Sequence, residues 1–124
     1  MYGTPAAQSY QDHQELSTAP LERLLACYDA FVERTEAAMA AIEAERMQEK
    51  MLHLGKAAEI VALLVSALDF DAAPDLAQRL AALYAFVDRC LADAMLYNDT
   101  GALAAAHRVM RTLRAGWRQL QEVE

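Results

Sequence analysis

The chain has 124 residues, of which 56% are hydrophobic, 23% charged and 7% aromatic, with only 4 Gly and 3 Pro. That is enough for one core and too little for two, and it excludes a disordered chain. Scarce turn residues and abundant alanine exclude an all-β sandwich or barrel. Eighteen acidic residues against eleven basic ones leave a formal charge of −7, the wrong sign for nucleic acid or an anionic membrane surface.

The longest uncharged apolar run, Ile60 to Leu68, falls far short of the roughly 20 residues that cross a bilayer. Residues Met1 to Tyr10 carry neither a basic start nor a hydrophobic segment, so no signal peptide is visible. Cys27 and Cys90 lack C-x-x-C spacing and read as small apolar residues in a reducing compartment. The expectation is a cytoplasmic, all-α domain.

In chain order, residues 1–19 are polar and mixed, and read as an extended N-terminal leader ahead of a bundle over 20–124. Pro20 suits a first helical position, where its missing N–H is not needed. Leu24, Leu25, Tyr28, Phe31, Val32, Thr35, Met39 and Ile42 then recur at three- and four-residue steps, predicting a helix over about 20–45. A second helix over about 47–69 carries the seam Met47, Met51, Leu54, Ala58, Val61, Val65 and Leu68, widened by Ala57 and Leu64. That width predicts two neighbours and a central place.

Pro74 and Asp75 open a third helix, about 74–97, with Leu76, Leu80, Leu83, Tyr84, Val87, Leu91, Ala94 and Met95 on one face. Asn98 to Gly101 form a turn in which Asp99 or Thr100 caps the next helix. The fourth, about 100–121, carries Leu103, Ala106, Val109, Met110, Leu113, Trp117 and Leu120. Near-equal helices with short connections predict an antiparallel up-down four-helix bundle.

Catalytic chemistry finds little support. His13, His53 and His107 have no ligand at metal spacing, and Asp69, Asp71 and Asp75 lack the glycine turn and distal Glu of a calcium loop. No nucleophile-elbow, Walker or dinucleotide glycine pattern occurs. The reading is therefore no enzyme, no metal and no cofactor.

His53-Leu54-Gly55-Lys56 resembles the H-x-x-K core of histidine phosphotransfer domains, which are also acidic four-helix bundles. A phosphotransfer domain using His53 is the alternative function, and an ordinary solvated face is the plainer account. On the fourth helix His107, Arg108, Arg111, Arg114 and Arg118 form a basic stripe. It either docks an acidic partner or, by the plainer reading, pairs with first-helix acids such as Glu33 or Glu36. Six Met supply adaptable apolar surface, suited to gap filling or to a partner's helix.

Taken whole, the chain resembles the FliS family, the flagellin-specific export chaperones of bacterial flagella. Met1-Tyr2 and Tyr10 match its usual start, and Ser17-Thr18-Ala19-Pro20-Leu21-Glu22-Arg23-Leu24 resembles its T-A-S-P-x-x-L element. Cys27-Tyr28-Asp29-Ala30 resembles its L-Y-D-G-A string. Leu68-Asp69, then Leu76 through Leu83-Tyr84-Ala85-Phe86 to Asn98-Asp99, follow its third-helix block, and Trp117 its late Trp. The capping Ser before Pro is Ala19 here, and the loop glycines after L-D are Ala72 and Ala73.

The resemblance implies a non-enzymatic chaperone that binds the disordered C-terminal segment of flagellin, prevents premature polymerisation and supports type III export. Export gate components are further partners it implies; neither nucleic acid nor membrane insertion is expected. Candidate partner-binding residues are Tyr10, Leu16, Tyr28, Met47, Met51, Leu54, Leu83, Tyr84, Val87 and Leu91. The leader, through Tyr10 and Leu16, is expected to cover an apolar groove and to leave when flagellin binds.

Overall fold

The computed structural model describes the backbone of residues 5–123 and the side chains of residues 20–122. Four helices follow in order: α1 Pro5–Glu43, α2 Met47–Ser66, α3 Pro74–Tyr97 and α4 Thr100–Val123. Among the described residues there is no strand. Both α1 and α3 pack against α2 and α4, whereas the diagonal pairs are not neighbours. With such short connections this is the antiparallel up-down bundle that the periodicity predicts. The ring gives every helix two neighbours, so α2 is not more central than the rest.

The core follows the apolar stripes of α1, α3 and α4 except at their ends, where Leu76 and Leu120 are exposed. Tyr28, Phe31, Leu54, Val61, Tyr84, Val87, Leu91, Leu103 and Met110 are essentially inaccessible. Cys90 is buried among them, Cys27 is half-buried, and both are free thiols. Burial pushes the Cys90 thiol up, which keeps it protonated and inert.

Two features differ from the sequence reading. First, α1 is helical from Pro5, so Pro20 lies inside it, and residues 5–19 are helical backbone rather than an extended leader. Ala6, Ala7, Gln8, Gln11, Gln14 and Glu15 are strong helix formers and outweigh proline at 20, which removes one backbone bond and crowds the carbonyl one turn back. Second, the buried seam of α2 is Lys50, Leu54, Ala57, Val61 and Leu64, while Met47, Met51 and Val65 are exposed. Leu52 and Leu63 are exposed on a further face. Apolar residues surround this helix, so two registers fit the sequence equally well.

One pole of the bundle is fixed by polar contacts. Glu45 adopts a left-handed φ of 59°, and Arg46 N–H donates to the Ala41 carbonyl at 2.8 Å while Glu45 N–H reaches Ile42 at 3.1 Å. That is a Schellman ending, with Glu where glycine would relax the backbone. Opposite, Asn98 ends α3 with φ 53°. The buried Lys50 ammonium donates to the Met95 carbonyl at 2.9 Å and to Asn98 Oδ1 at 2.7 Å. A cation there also faces the negative end of α3. Asp99 caps α4, its Oδ1 accepting from Ala102 N–H at 2.9 Å. The Asn98-Asp99 pair therefore builds the turn and contacts no groove.

Candidate partner-binding surface

The other pole is closed by the α2–α3 loop, residues 67–73. Asp69 Oδ1 accepts from the N–H groups of Asp71 and Ala72, at 3.0 and 2.9 Å, and so folds the loop on itself. Pro74 then starts α3 without needing a donor. Between loop and bundle opens a cavity of about 210 Å³, lined mainly by Leu24, Leu64, Leu68, Leu76, Leu80, Tyr84 and Trp117. A second recess of about 250 Å³ runs along the α1–α2 seam beneath Pro20, Arg23, Cys27 and Leu63. The two share Leu24, Leu64 and Ala67, so they form one apolar groove around the pole. Leu63 and Leu76 stand exposed along it, and Phe70 is exposed on the adjoining loop.

Beneath this groove lies one buried polar contact. The buried hydroxyls of Tyr28 and Tyr84 hydrogen-bond to each other, joining α1 to α3 across the bundle axis. Burial pushes both phenols above their ordinary value of 10. The Trp117 indole N–H adjoins Tyr28 closely enough to favour its ionised form, yet Trp117 Nε1 is buried with no hydrogen-bond partner. The groove surface itself is apolar, since these hydroxyls and the indole nitrogen are all buried beneath it. It suits the side chain of a Leu, Met or Phe, whose burial contributes about 1.5–3 kcal/mol.

The candidate residues separate into three groups. Tyr28, Leu54, Tyr84, Val87 and Leu91 are core, and support a surface from beneath rather than forming one. Met47 and Met51 are exposed on α2 near the opposite pole, and Leu83 is half-buried beside α4. The side chains of Tyr10 and Leu16 lie outside the described residues, as does that of His13. Sequence reasoning missed Leu63, Phe70 and Leu76 as surface and Trp117 as a groove wall. The signal was there: Leu63 and Phe70 fall off every seam.

The polar candidates are mostly engaged. His53 Nδ1 lies 3.1 Å from Arg34 Nη1, and Lys56 Nζ lies 3.6 Å from Glu59. The string His53-Leu54-Gly55-Lys56 therefore follows the solvated-face reading, with both side chains in contacts of their own. Asp29 Oδ1 accepts from Arg114 Nη1 and Arg118 Nη2, each at 3.0 Å. The first-helix acid that pairs with the stripe is Asp29, not Glu33 or Glu36. Among the described residues no three His, Cys, Asp or Glu gather as a metal site. No described helix is long and apolar enough to cross a membrane.

Comparison with known proteins agrees with the pattern of these elements. The chain is 31% identical over 121 residues to a flagellar secretion chaperone, FliSB, of Pseudomonas aeruginosa, covering 94% of this chain and 96% of that protein. It is 29% identical over 116 residues to the flagellar secretion chaperone FliS of Bacillus subtilis, covering 94% and 86%. A family described as flagellar protein FliS matches residues 3–124. On this match over nearly its whole length, the chain belongs to the FliS family.

Proposed function

We propose that this protein is a cytoplasmic flagellar export chaperone that binds the C-terminal helical segment of flagellin. Bound in this way, the segment is withheld from polymerisation and kept available to the type III export apparatus, whose gate components are further partners. The observation that carries the reading is the apolar groove around the α2–α3 pole, open to solvent and walled by Leu24, Leu76 and Trp117. A disordered segment that folds on binding lays apolar side chains at one-turn spacing into such a groove. The role is non-enzymatic: what the chain offers its partner is an apolar surface.

Residues 5–19 run into Pro20 at the rim of the second recess. For Tyr10 and Leu16 to cover the groove, as a leader would, this continuous helix would have to break at Pro20.

Trp117 is the one tryptophan of the chain and lines the groove, so binding is read directly. Titrating the protein with a peptide of the flagellin C-terminal segment should shift Trp117 emission saturably, with matching heat by calorimetry. Leu76→Asp should weaken binding at least tenfold while leaving the helical circular dichroism intact. Tight binding with silent Trp117 emission and no effect of Leu76→Asp would place flagellin elsewhere on the bundle.

A further inference from the structure

The acidic charge of the chain is not evenly spread. α4 carries Arg108, Arg111, Arg114 and Arg118 against one described acid, Glu122, in a chain of net charge −7. Arg114 and Arg118 both donate to Asp29 Oδ1. Arg108 and Arg111 are exposed and make no ion pair with any described residue.

Ala104, Arg108, Arg111 and Ala115 follow steps of four, three and four, which set them in one line along α4, away from buried Leu103, Ala106 and Met110. Over them lies a shallow recess of about 550 Å³, bordered also by His107 and Thr112. Ala104 and His107 continue it into a cavity of about 230 Å³ between α1 and α4, lined by Thr35, Glu36, Met39 and Leu103. His107 Nε2, at the junction, is buried without a hydrogen-bond partner.

We propose that this outer face of α4 is a second docking surface, distinct from the pole groove, and that its occupant is an acidic amphipathic helix. Two arginines one turn apart meet carboxylates at the same spacing on a helix laid alongside. Ala104 and Ala115 let the two backbones approach, and the cavity beside Met39 takes one apolar side chain. The net charge of −7 disfavours the same ligand over the rest of the chain, so charge selects both place and orientation. Two guanidiniums make this a recognition of carboxylates rather than a diffuse counter-ion layer.

The test uses the full-length protein and a fluorescein-labelled, 18-residue designed peptide with Glu at i, i+3 and i+4 steps and Leu on the adjoining face. Anisotropy at low salt should show saturable binding that weakens at least tenfold when the peptide's Glu are replaced by Gln. Arg108→Ala with Arg111→Ala should weaken it tenfold or more, whereas Arg79→Ala with Arg89→Ala, exposed cations of α3, should leave it within twofold. Equal binding of the Gln peptide, equal loss in both double variants, or tighter binding of a single-stranded oligonucleotide at the same arginines would each overturn the proposal. Unchanged thermal unfolding of both double variants keeps a folding defect from imitating the result.

Discussion

The Tyr28–Tyr84 pair gives the sharpest energetic test of this bundle. Both hydroxyls are buried, at 0% and 1% exposure, and each is the other's hydrogen-bond partner. Removing one hydroxyl strands the other without water, a penalty of about 1–3 kcal/mol. The two single variants should not be equal. After Tyr84→Phe, the Trp117 N–H beside Tyr28 offers a substitute donor; after Tyr28→Phe, Tyr84 has none and Trp117 still lacks a partner. Tyr28→Phe should therefore be the more destabilising, toward the upper end of that range. The double variant removes both polar atoms together, so its loss should be smaller than that of Tyr28→Phe alone. Urea unfolding followed by circular dichroism measures all four proteins. Strictly additive losses would mean that the hydroxyls do not depend on each other, and would refute the reasoning.

Alkali tests the same pair. Both phenols are pushed above 10 in the folded chain by burial. The stability they contribute is therefore complete below pH 10 and declines as pH rises above it, because the unfolded chain releases those protons first. Each Tyr→Phe variant should flatten that alkaline decline in an unfolding series.

His107 behaves oppositely: burial first, then Arg111 and Arg114, lower its pKa below 6.5 against an opposing pull from Glu36. Its contribution is complete above pH 6.5 and is lost as pH falls through the folded value, so stability should decline between pH 7 and 5 and His107→Gln should lessen that decline. Lys50→Met removes two charge-assisted hydrogen bonds from a buried position, and should lower unfolding stability by about 2–3 kcal/mol in a urea titration. Glu45→Gly relieves a left-handed residue at a Schellman ending, and should raise stability by about 0.5–1 kcal/mol in the same assay.

The fold was legible because three helices bury one stripe each. On α1, Tyr28, Phe31, Val32 and Thr35 are spaced as a core face and are buried as one. The α3–α4 turn was legible for a different reason: Asn98 tolerates a left-handed φ and Asp99 can only accept, so their order dictates which helix each one ends or caps. The start of α1 was not, because a single proline outweighed a run of helix formers in the reading while the chain accommodates it inside the helix. Nor did periodicity reveal the ammonium of Lys50 as a core residue. Its partners, the Met95 carbonyl and Asn98, belong to another helix and come close only after the bundle closes.

The misread register of α2 has the most to say about function. A helix that served only the core would bury Lys50, Leu54, Ala57, Val61 and Leu64 and be polar elsewhere, and its seam would then be unambiguous. Instead Met47, Met51, Leu52, Leu63 and Val65 remain in solvent, each lowering solubility without adding to the core. Leu63 lies in the recess that continues into the Trp117 cavity, where the neighbouring Leu64 turns inward as its wall. Surplus apolar residues on a helix already satisfied by its bundle are what a docking surface requires, and they are also what hides the true seam. Of these residues Leu63 is the one that lines the groove, whereas Met47, Met51 and Val65, which hid the true seam, are not among its lining residues. Exchanging Leu63 for Ser should leave unfolding stability within about 0.5 kcal/mol, as for other exposed positions, yet weaken binding of the flagellin peptide read through Trp117. A stability loss as large as that of a core leucine would instead assign Leu63 to the bundle, and would separate the groove from the function proposed for it.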